Sequence, residues 1–295
     1  MTQYTHQTAP TQFVDAAGIR FAYRRFGQPG GVPLVFNMHY MGTMDHWDPA
    51  VTDGVAKEGE VILFDNAGIS SSSGDVPGSF AEMGANAIAF IRALGLKQVD
   101  VLGFSIGGLV AQEIALQAPD LVRRLVLVGT GPRSGESMDT GTPEGNQIFG
   151  ATYEHPDDLW LRVHFTPSEV SQAAGRQFLR RTRIRTIDRD PQVAERAALA
   201  QRTAIAKSGA KREHAWDYLK DIKQPTLVVN GSNDVVIYTI NSYILQQNLP
   251  NAQLIIYPDS AHGSLFQYPA LFVADVTRFL NAEAPFPTEE DTHHG

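Results

Sequence analysis

Short apolar runs recur along the chain, and their spacing predicts its elements. Gln12-Phe13-Val14 and Ile19 to Phe26 flank the turn residues Asp15 to Gly18, which predicts a hairpin. From residue 33 the rhythm changes. The runs become Leu34-Val35-Phe36, Val61-Ile62-Leu63-Phe64, Val99 to Leu102, Leu125 to Val128, Leu227-Val228-Val229 and Leu254-Ile255-Ile256. Most are solidly apolar rather than alternating, the pattern of parallel strands covered on both faces. Helical periodicity lies between them over 79–94, 106–117, 240–248 and 268–280. Alternation of this kind predicts an α/β class protein with a doubly wound, mostly parallel sheet and right-handed crossovers.

One interval breaks the rhythm. About 95 residues separate the run ending at Val128 from the one starting at Leu227. They hold no strand pattern but three helical ones, over 157–164, 168–186 and 191–207, with Asp190-Pro191 read as an N-cap followed by proline at the first helical position. The expected organisation is a sheet core of 11–132 and 221–281, split by a helical cap over 133–220. The polar ends 1–10 and 282–295 are expected to be flexible tails.

Charge supports the division. Residues 1–132 carry 8 basic and 12 acidic groups, residues 133–220 carry 14 and 12, and residues 221–295 carry 2 and 8. The cap is therefore slightly basic within a chain of net charge -8, and it concentrates Arg176, Arg180, Arg181, Arg183, Arg185 and Arg189. Two readings follow: a solvated helical face paired with nearby acids, or attraction of anionic substrates. The acidic balance argues against nucleic acid as a partner. No run approaches the roughly 18 apolar residues of a membrane helix, and the first residues have neither a basic nor an apolar segment typical of a signal peptide. The expectation is a cytoplasmic protein with a small-molecule partner and no membrane; a homodimer is one possible state. With 0 cysteines, a disulfide, a thiolate metal site or a cysteine nucleophile has no material.

The chemistry centres on Gly103-Phe104-Ser105-Ile106-Gly107-Gly108. A strand pattern precedes it and a helix pattern follows. A G-x-S-x-G run in that setting forces the serine onto a sharp, exposed turn. A serine hydroxyl is a weak nucleophile and needs a base, oriented by a third group.

Here the chain resembles the α/β-hydrolase fold family, in which nucleophile, acid and histidine follow in that order. The resemblance runs from about Phe13 to Leu280 and is interrupted by 133–220. It implies Ser105 as nucleophile. It implies Asp234 as the acid, closing Gly231-Ser232-Asn233-Asp234, with Tyr238 where a proline commonly stands. It implies His262 as the base, in Ala261-His262 to Pro269; Ala261 and Gln267 replace the family's glycine and glutamate. The oxyanion hole would take one N–H from Ile106 and a second from Tyr40 or Met41. The loop His39-Tyr40-Met41 departs from the family's H-G-x, and Trp47 arrives one residue early. Asp65 belongs to a loop of the family's D-x-x-G-x-G-x-S type, with Ser70 for its second glycine, and ranks below Asp234 as the acid.

The implied reaction is hydrolysis of an ester or lactone of a small, largely apolar substrate through an acyl-enzyme, with no metal and no cofactor. Candidate substrate-binding residues are His39, Phe104, Trp160 and Trp216, with Phe165, Phe178 and Tyr218 as further aromatics of the cap; His39 either bonds a substrate oxygen or bridges loops. The alternatives are carbon–carbon bond hydrolysis or perhydrolysis with the same triad, and a ligand-binding, receptor-like member of the fold.

Overall fold

A computed structural model describes residues 4–283. Eight strands form one sheet: β1 (Gln12–Ala16), β2 (Ile19–Gly27), β3 (Leu34–Asn37), β4 (Glu60–Phe64), β5 (Val99–Phe104), β6 (Val122–Val128), β7 (Thr226–Gly231) and β8 (Ala252–Tyr257). Their order is β1-β2-β4-β3-β5-β6-β7-β8. The β1–β2 and β2–β4 pairs are antiparallel, and every other neighbouring pair is parallel. The expected hairpin is thus the edge of a doubly wound sheet.

The helices are α1 (Pro49–Ala56), α2 (Phe80–Ala93), α3 (Ile106–Gln117), α4 (Pro143–Gly150), α5 (Pro156–His164), α6 (Glu169–Thr182), α7 (Glu195–Gly209), α8 (Ile240–Asn248), α9 (Ser264–Gln267) and α10 (Pro269–Asn281). The solid apolar runs arise because successive residues serve opposite faces. Val35, Val101 and Leu127 pack with α2 and α3. Phe36, Leu102 and Val126 pack on the other face with α1 and α10, and with Phe165, Phe178 and Leu179 of the inserted segment. Burying each such side chain contributes about 1.5–3 kcal/mol.

Between β6 and β7 the chain runs through α4 to α7 and no strand. The segment is tied to the core at several points. The Arg181 guanidinium donates to both Asp48 oxygens at 2.8 and 2.6 Å. The Thr166 and Ser168 hydroxyls donate to the two Asp259 oxygens at 2.7 and 2.6 Å. Ser171 donates to Gln267 at 2.7 Å. Within the segment, Arg183 pairs with Asp157, and Arg185 with Asp188. Arg181, Arg183 and Arg185 are thus paired with carboxylates of the chain, Arg185 as a buried side chain.

Two sequence expectations need correction. The Asp190-Pro191 pair does not open a helix; α7 begins at Glu195, with Ala194 at the cap. The Asp190 carboxylate is instead bound by Arg24 Nη2 and by the Asp45 N–H, at 2.7 and 2.9 Å. The proline-at-N1 signature does operate at α1 and α4, where Asp48 and Thr142 cap the first turn; at 8 residues each, both helices are too short to announce themselves by periodicity. The N-terminal segment is not a loose tail over residues 4–10. His6 and Ala9 are buried. His6 N–H donates to Asp53 at 2.6 Å, and Arg185 Nη1 donates to the His6, Gln7 and Ala9 carbonyls. The expectation for 284–295 lies outside the described residues. Among the described residues no helix is long and apolar enough to cross a membrane.

Candidate active site

Ser105 sits between β5 and α3 with φ 59° and ψ -124°, a positive-φ conformation that costs a non-glycine residue of order 1–3 kcal/mol. The turn is held from both sides. Ser105 N–H donates to the Val128 carbonyl at 2.9 Å. Gly107 packs so tightly on the end of β3 that a Cβ there would overlap the Asn37 carbonyl. Ser105 makes no side-chain cap bond to α3. The Ile106 N–H, first in the helix, therefore has no capping partner from Ser105 and carries the positive end of the helix dipole.

Asp234 follows β7, and His262 follows β8. His262 Nδ1 lies 2.8 Å from Asp234 Oδ2, both side chains being buried. The other oxygen, Oδ1, accepts the Val236 and Ile237 N–H groups at 2.8 and 3.0 Å. The carboxylate is thus pinned, and the imidazole with it. A carboxylate oxygen can only accept here, so Nδ1 carries the proton and Nε2 presents a lone pair. Gly129 links this pair to the serine. A Cβ on Gly129 would lie 3.3 Å from His262 Nδ1, and Gly129 directly follows Val128, whose carbonyl holds Ser105. The Phe104 ring lies 5.0 Å from the His262 ring. The fold therefore brings Ser105, Asp234 and His262 to the same ends of β5, β6, β7 and β8.

Asp65 stands apart from this pair. Its Oδ1 accepts the Met44 N–H at 3.1 Å, and its Oδ2 is buried without a hydrogen bond among the described residues. Burial, then the neighbouring Asp190 charge, pushes its carboxyl well above the usual carboxylate range.

The loop after β3 carries His39, Tyr40 and Met41. Met41, at φ 54°, donates its N–H to Gln201 Oε1 of α7 at 2.9 Å. The Tyr40 N–H makes no hydrogen bond among the described residues. His39 Nδ1 lies 2.8 Å from the Tyr40 carbonyl. Gln201 carries no sequence motif; its role is visible only once α7 is folded over the loop.

An aromatic cluster surrounds the serine side of the sheet. The His39 ring lies 5.6 Å from Phe104 and 5.4 Å from Trp160. His164, at the end of α5, stacks on Trp160 at 5.0 Å and lies 5.8 Å from His262. Phe178 and Phe266 stack at 4.4 Å beneath them. His164, too, is absent from the sequence candidates, because it reads as an ordinary residue at a helix end. Its carbonyl accepts the Gly263 N–H at 2.9 Å, which clamps α5 onto the loop of His262. Trp216 does not join this cluster: it is exposed. Tyr218 packs in the opposite core layer, its hydroxyl donating to Gln112 at 2.6 Å. Two cavities, of 480 and 120 Å³, meet at His46 and Arg189, and the smaller reaches Trp160 and Phe178.

Residues 33–269 match the model of the alpha/beta hydrolase fold. A solved alpha/beta hydrolase fold protein from Chitinophaga pinensis is 41% identical, with a TM-score of 0.89, covering 95% of this chain and 100% of that one. A poly(3-hydroxyalkanoate) depolymerase from Ectopseudomonas oleovorans is 29% identical over 286 residues, 92% of this chain and 91% of the relative. A protein of Rhizobium rhizogenes that carries a provisional carbamate hydrolase name is 24% identical over 274 residues, 90% of this chain and 99% of the relative.

Proposed function

The chain belongs to the alpha/beta hydrolase fold family, and from that premise we propose that it is a serine hydrolase cleaving an ester or lactone of a small, largely apolar substrate. One observation carries this reading. The buried His262–Asp234 pair, at 2.8 Å, meets Ser105 on its strained turn through the shared backbone at the end of β6, that is, through Val128 and Gly129.

In the proposed reaction His262 Nε2 takes the Ser105 proton as Oγ attacks the carbonyl. Asp234 keeps the imidazole in the tautomer with Nδ1–H and stabilises the imidazolium that forms. The Ile106 N–H and the unpaired Tyr40 N–H receive the oxyanion, while the Met41 N–H holds the loop through Gln201. His262 then returns its proton to the leaving alcohol. A water, deprotonated by the same Nε2, resolves the acyl-enzyme. The aromatic cluster of Phe104, Trp160 and Phe178 favours an apolar acyl or alcohol group. The polyester depolymerase among the relatives supports ester chemistry, and the provisional carbamate hydrolase name makes carbamates the second substrate class to try.

The test is a panel of chromogenic esters, lactones and carbamates with wild type and Ser105→Ala. Ester turnover that falls at least about 10³-fold in the variant is expected. Equal rates in the two proteins would refute the nucleophile. Saturable ligand binding without turnover in wild type would favour the receptor-like reading.

A further inference from the structure

Three histidines beyond His262 share the site: His39, His46 and His164. His39 and His164 are each more than nine-tenths buried, and their rings lie 5.8 Å apart. Among the described residues no group of three or more such side chains has the arrangement to hold a metal ion. Their hydrogen bonds instead fix which nitrogen carries the proton. His39 Nδ1 lies 2.8 Å from the Tyr40 carbonyl, and His164 Nδ1 lies 3.1 Å from the Trp160 carbonyl. A carbonyl oxygen can only accept, so Nδ1 carries the proton in both rings and each Nε2 is left as a lone pair. His46 has the opposite tautomer, because its Nδ1 accepts the Thr43 N–H at 2.9 Å.

Both rings are held neutral. Burial, then the nearby imidazoles, lowers His39 to about 3 and takes His164 well below the usual histidine range. Neither Nε2 is protonated at working pH, so neither can donate to a substrate oxygen or attract an anion. His39 Nε2 is buried and has no hydrogen-bond partner among the described residues. Its residue also lines a small cavity with Ile106, Gly107 and Gln201, beside the elbow. An unpaired buried acceptor is a demand for a donor.

We propose that His39 and His164 form a hydrogen-bond-accepting subsite, which selects substrates that carry a hydroxyl or N–H donor close to the scissile carbonyl. The subsite deepens the serine hydrolase reading and rests on it. It reverses the polarity expected for His39 from the sequence: the imidazole accepts from the substrate and does not bond a bare oxygen. An acyl group of plain methylenes leaves the lone pair unpaired, and a carboxylate meets it with another lone pair. Only a donor-bearing group satisfies it. Sites that pair a substrate hydroxyl discriminate strongly against analogues lacking it, because the protein group is then stranded.

The experiment compares three p-nitrophenyl esters: butyrate, 3-hydroxybutyrate and 3-methoxybutyrate. The methoxy ester keeps the oxygen and loses the donor. Wild type is expected to favour the hydroxy ester over both others by roughly tenfold or more in kcat/KM. In His39→Phe the hydroxy-to-methoxy ratio should collapse toward one, and in His164→Phe it should fall. Phenylalanine keeps a ring in the cluster in each case. Because the readout is a ratio within one protein, a general loss of activity does not mimic it. Should His39→Phe fail to fold, the wild-type ratio and His164→Phe still decide the matter. Turnover of all three esters by wild type without preference for the hydroxy ester, or a preference that survives in the histidine variants, overturns the subsite and leaves the serine hydrolase standing. Turnover that survives Ser105→Ala, or no turnover of any ester, lactone or carbamate of the panel, overturns the hydrolase reading and the subsite together.

Discussion

Gln201 Oε1, on α7, accepts the Met41 N–H at 2.9 Å across 160 residues of chain. Gln201 is buried, and Met41 is held at φ 54°. A helix of the inserted segment therefore restrains the loop proposed to supply an oxyanion donor. Gln201→Ala leaves the Met41 N–H unpaired and the loop unrestrained. Its stability should drop by about 1–3 kcal/mol. Its kcat should fall about tenfold or more with a smaller change in KM, since the lost contact acts on the transition state. Steady-state kinetics alongside urea unfolding checks both. A rise in kcat would mean that Gln201 plugs the hole instead of shaping it.

Asp234→Asn tests the acid. The amide oxygen can still accept the Val236 and Ile237 N–H groups that Oδ1 now takes. The amide nitrogen, however, would face Nδ1 of His262 as a donor and turn the ring to the wrong tautomer. A fall in kcat of about 10³–10⁴-fold is expected, with the fold intact by circular dichroism. Asp65→Asn should leave the ester rate far closer to wild type, because Asp65 bonds the Met44 N–H and does not touch His262. Comparable losses in the two variants would argue against assigning the acid to Asp234.

The parts legible in the sequence are those that local pattern controls. Gly103 to Gly108 announces its turn because a strand, a strained serine and a helix must succeed each other there. The strand runs are readable because both faces of the sheet are covered, so no alternation dilutes them. The helix over 106–117 is bounded to the residue, since Ser105 ends the strand and Ala118-Pro119 ends the helix. What is not legible is set by contacts between distant segments. Asp190 looks like an N-cap until Arg24, 166 residues away, takes its carboxylate. Residues 4–10 look loose until Arg185 binds three of their carbonyls. His164 and Gln201 carry no motif, and they face the site only because α5 and α7 fold back over it.

Arg24 tests how the inserted segment is fastened to the sheet domain. Its guanidinium is fully buried and donates to Asp45 at 2.6 Å and Asp190 at 2.7 Å. Removing it leaves two carboxylates buried without their main counter-charge. Arg24→Met should lose about 3–5 kcal/mol by urea unfolding. Asp190→Asn should lose much less. Burial first, opposed by Arg24, raises the Asp190 carboxyl to about 6, so the protein already holds this group near the edge of ionisation. Equal losses in the two variants would count against Arg24 as the centre of the network.

The buried histidines predict how stability depends on pH. Burial is the leading cause that lowers His6 and His39 to about 3 and His46 to about 4, and it takes His164 well below its ordinary value of 6.5. For each, the folded value lies below the unfolded one. The stabilisation is therefore fully present above about pH 6.5 and is lost as pH falls toward the folded values. Asp65 and Asp190 oppose this, because their carboxyls are raised in the fold. A single histidine can be isolated by difference. Between pH 6 and pH 5 wild type should lose stability faster than His164→Phe, the two slopes differing by about 1.4 kcal/mol per pH unit, one proton's worth. Urea unfolding at half-unit steps measures both slopes. Parallel slopes would mean that His164 takes up a proton in the folded protein, and the neutral acceptor at the heart of the proposed subsite would fall with it.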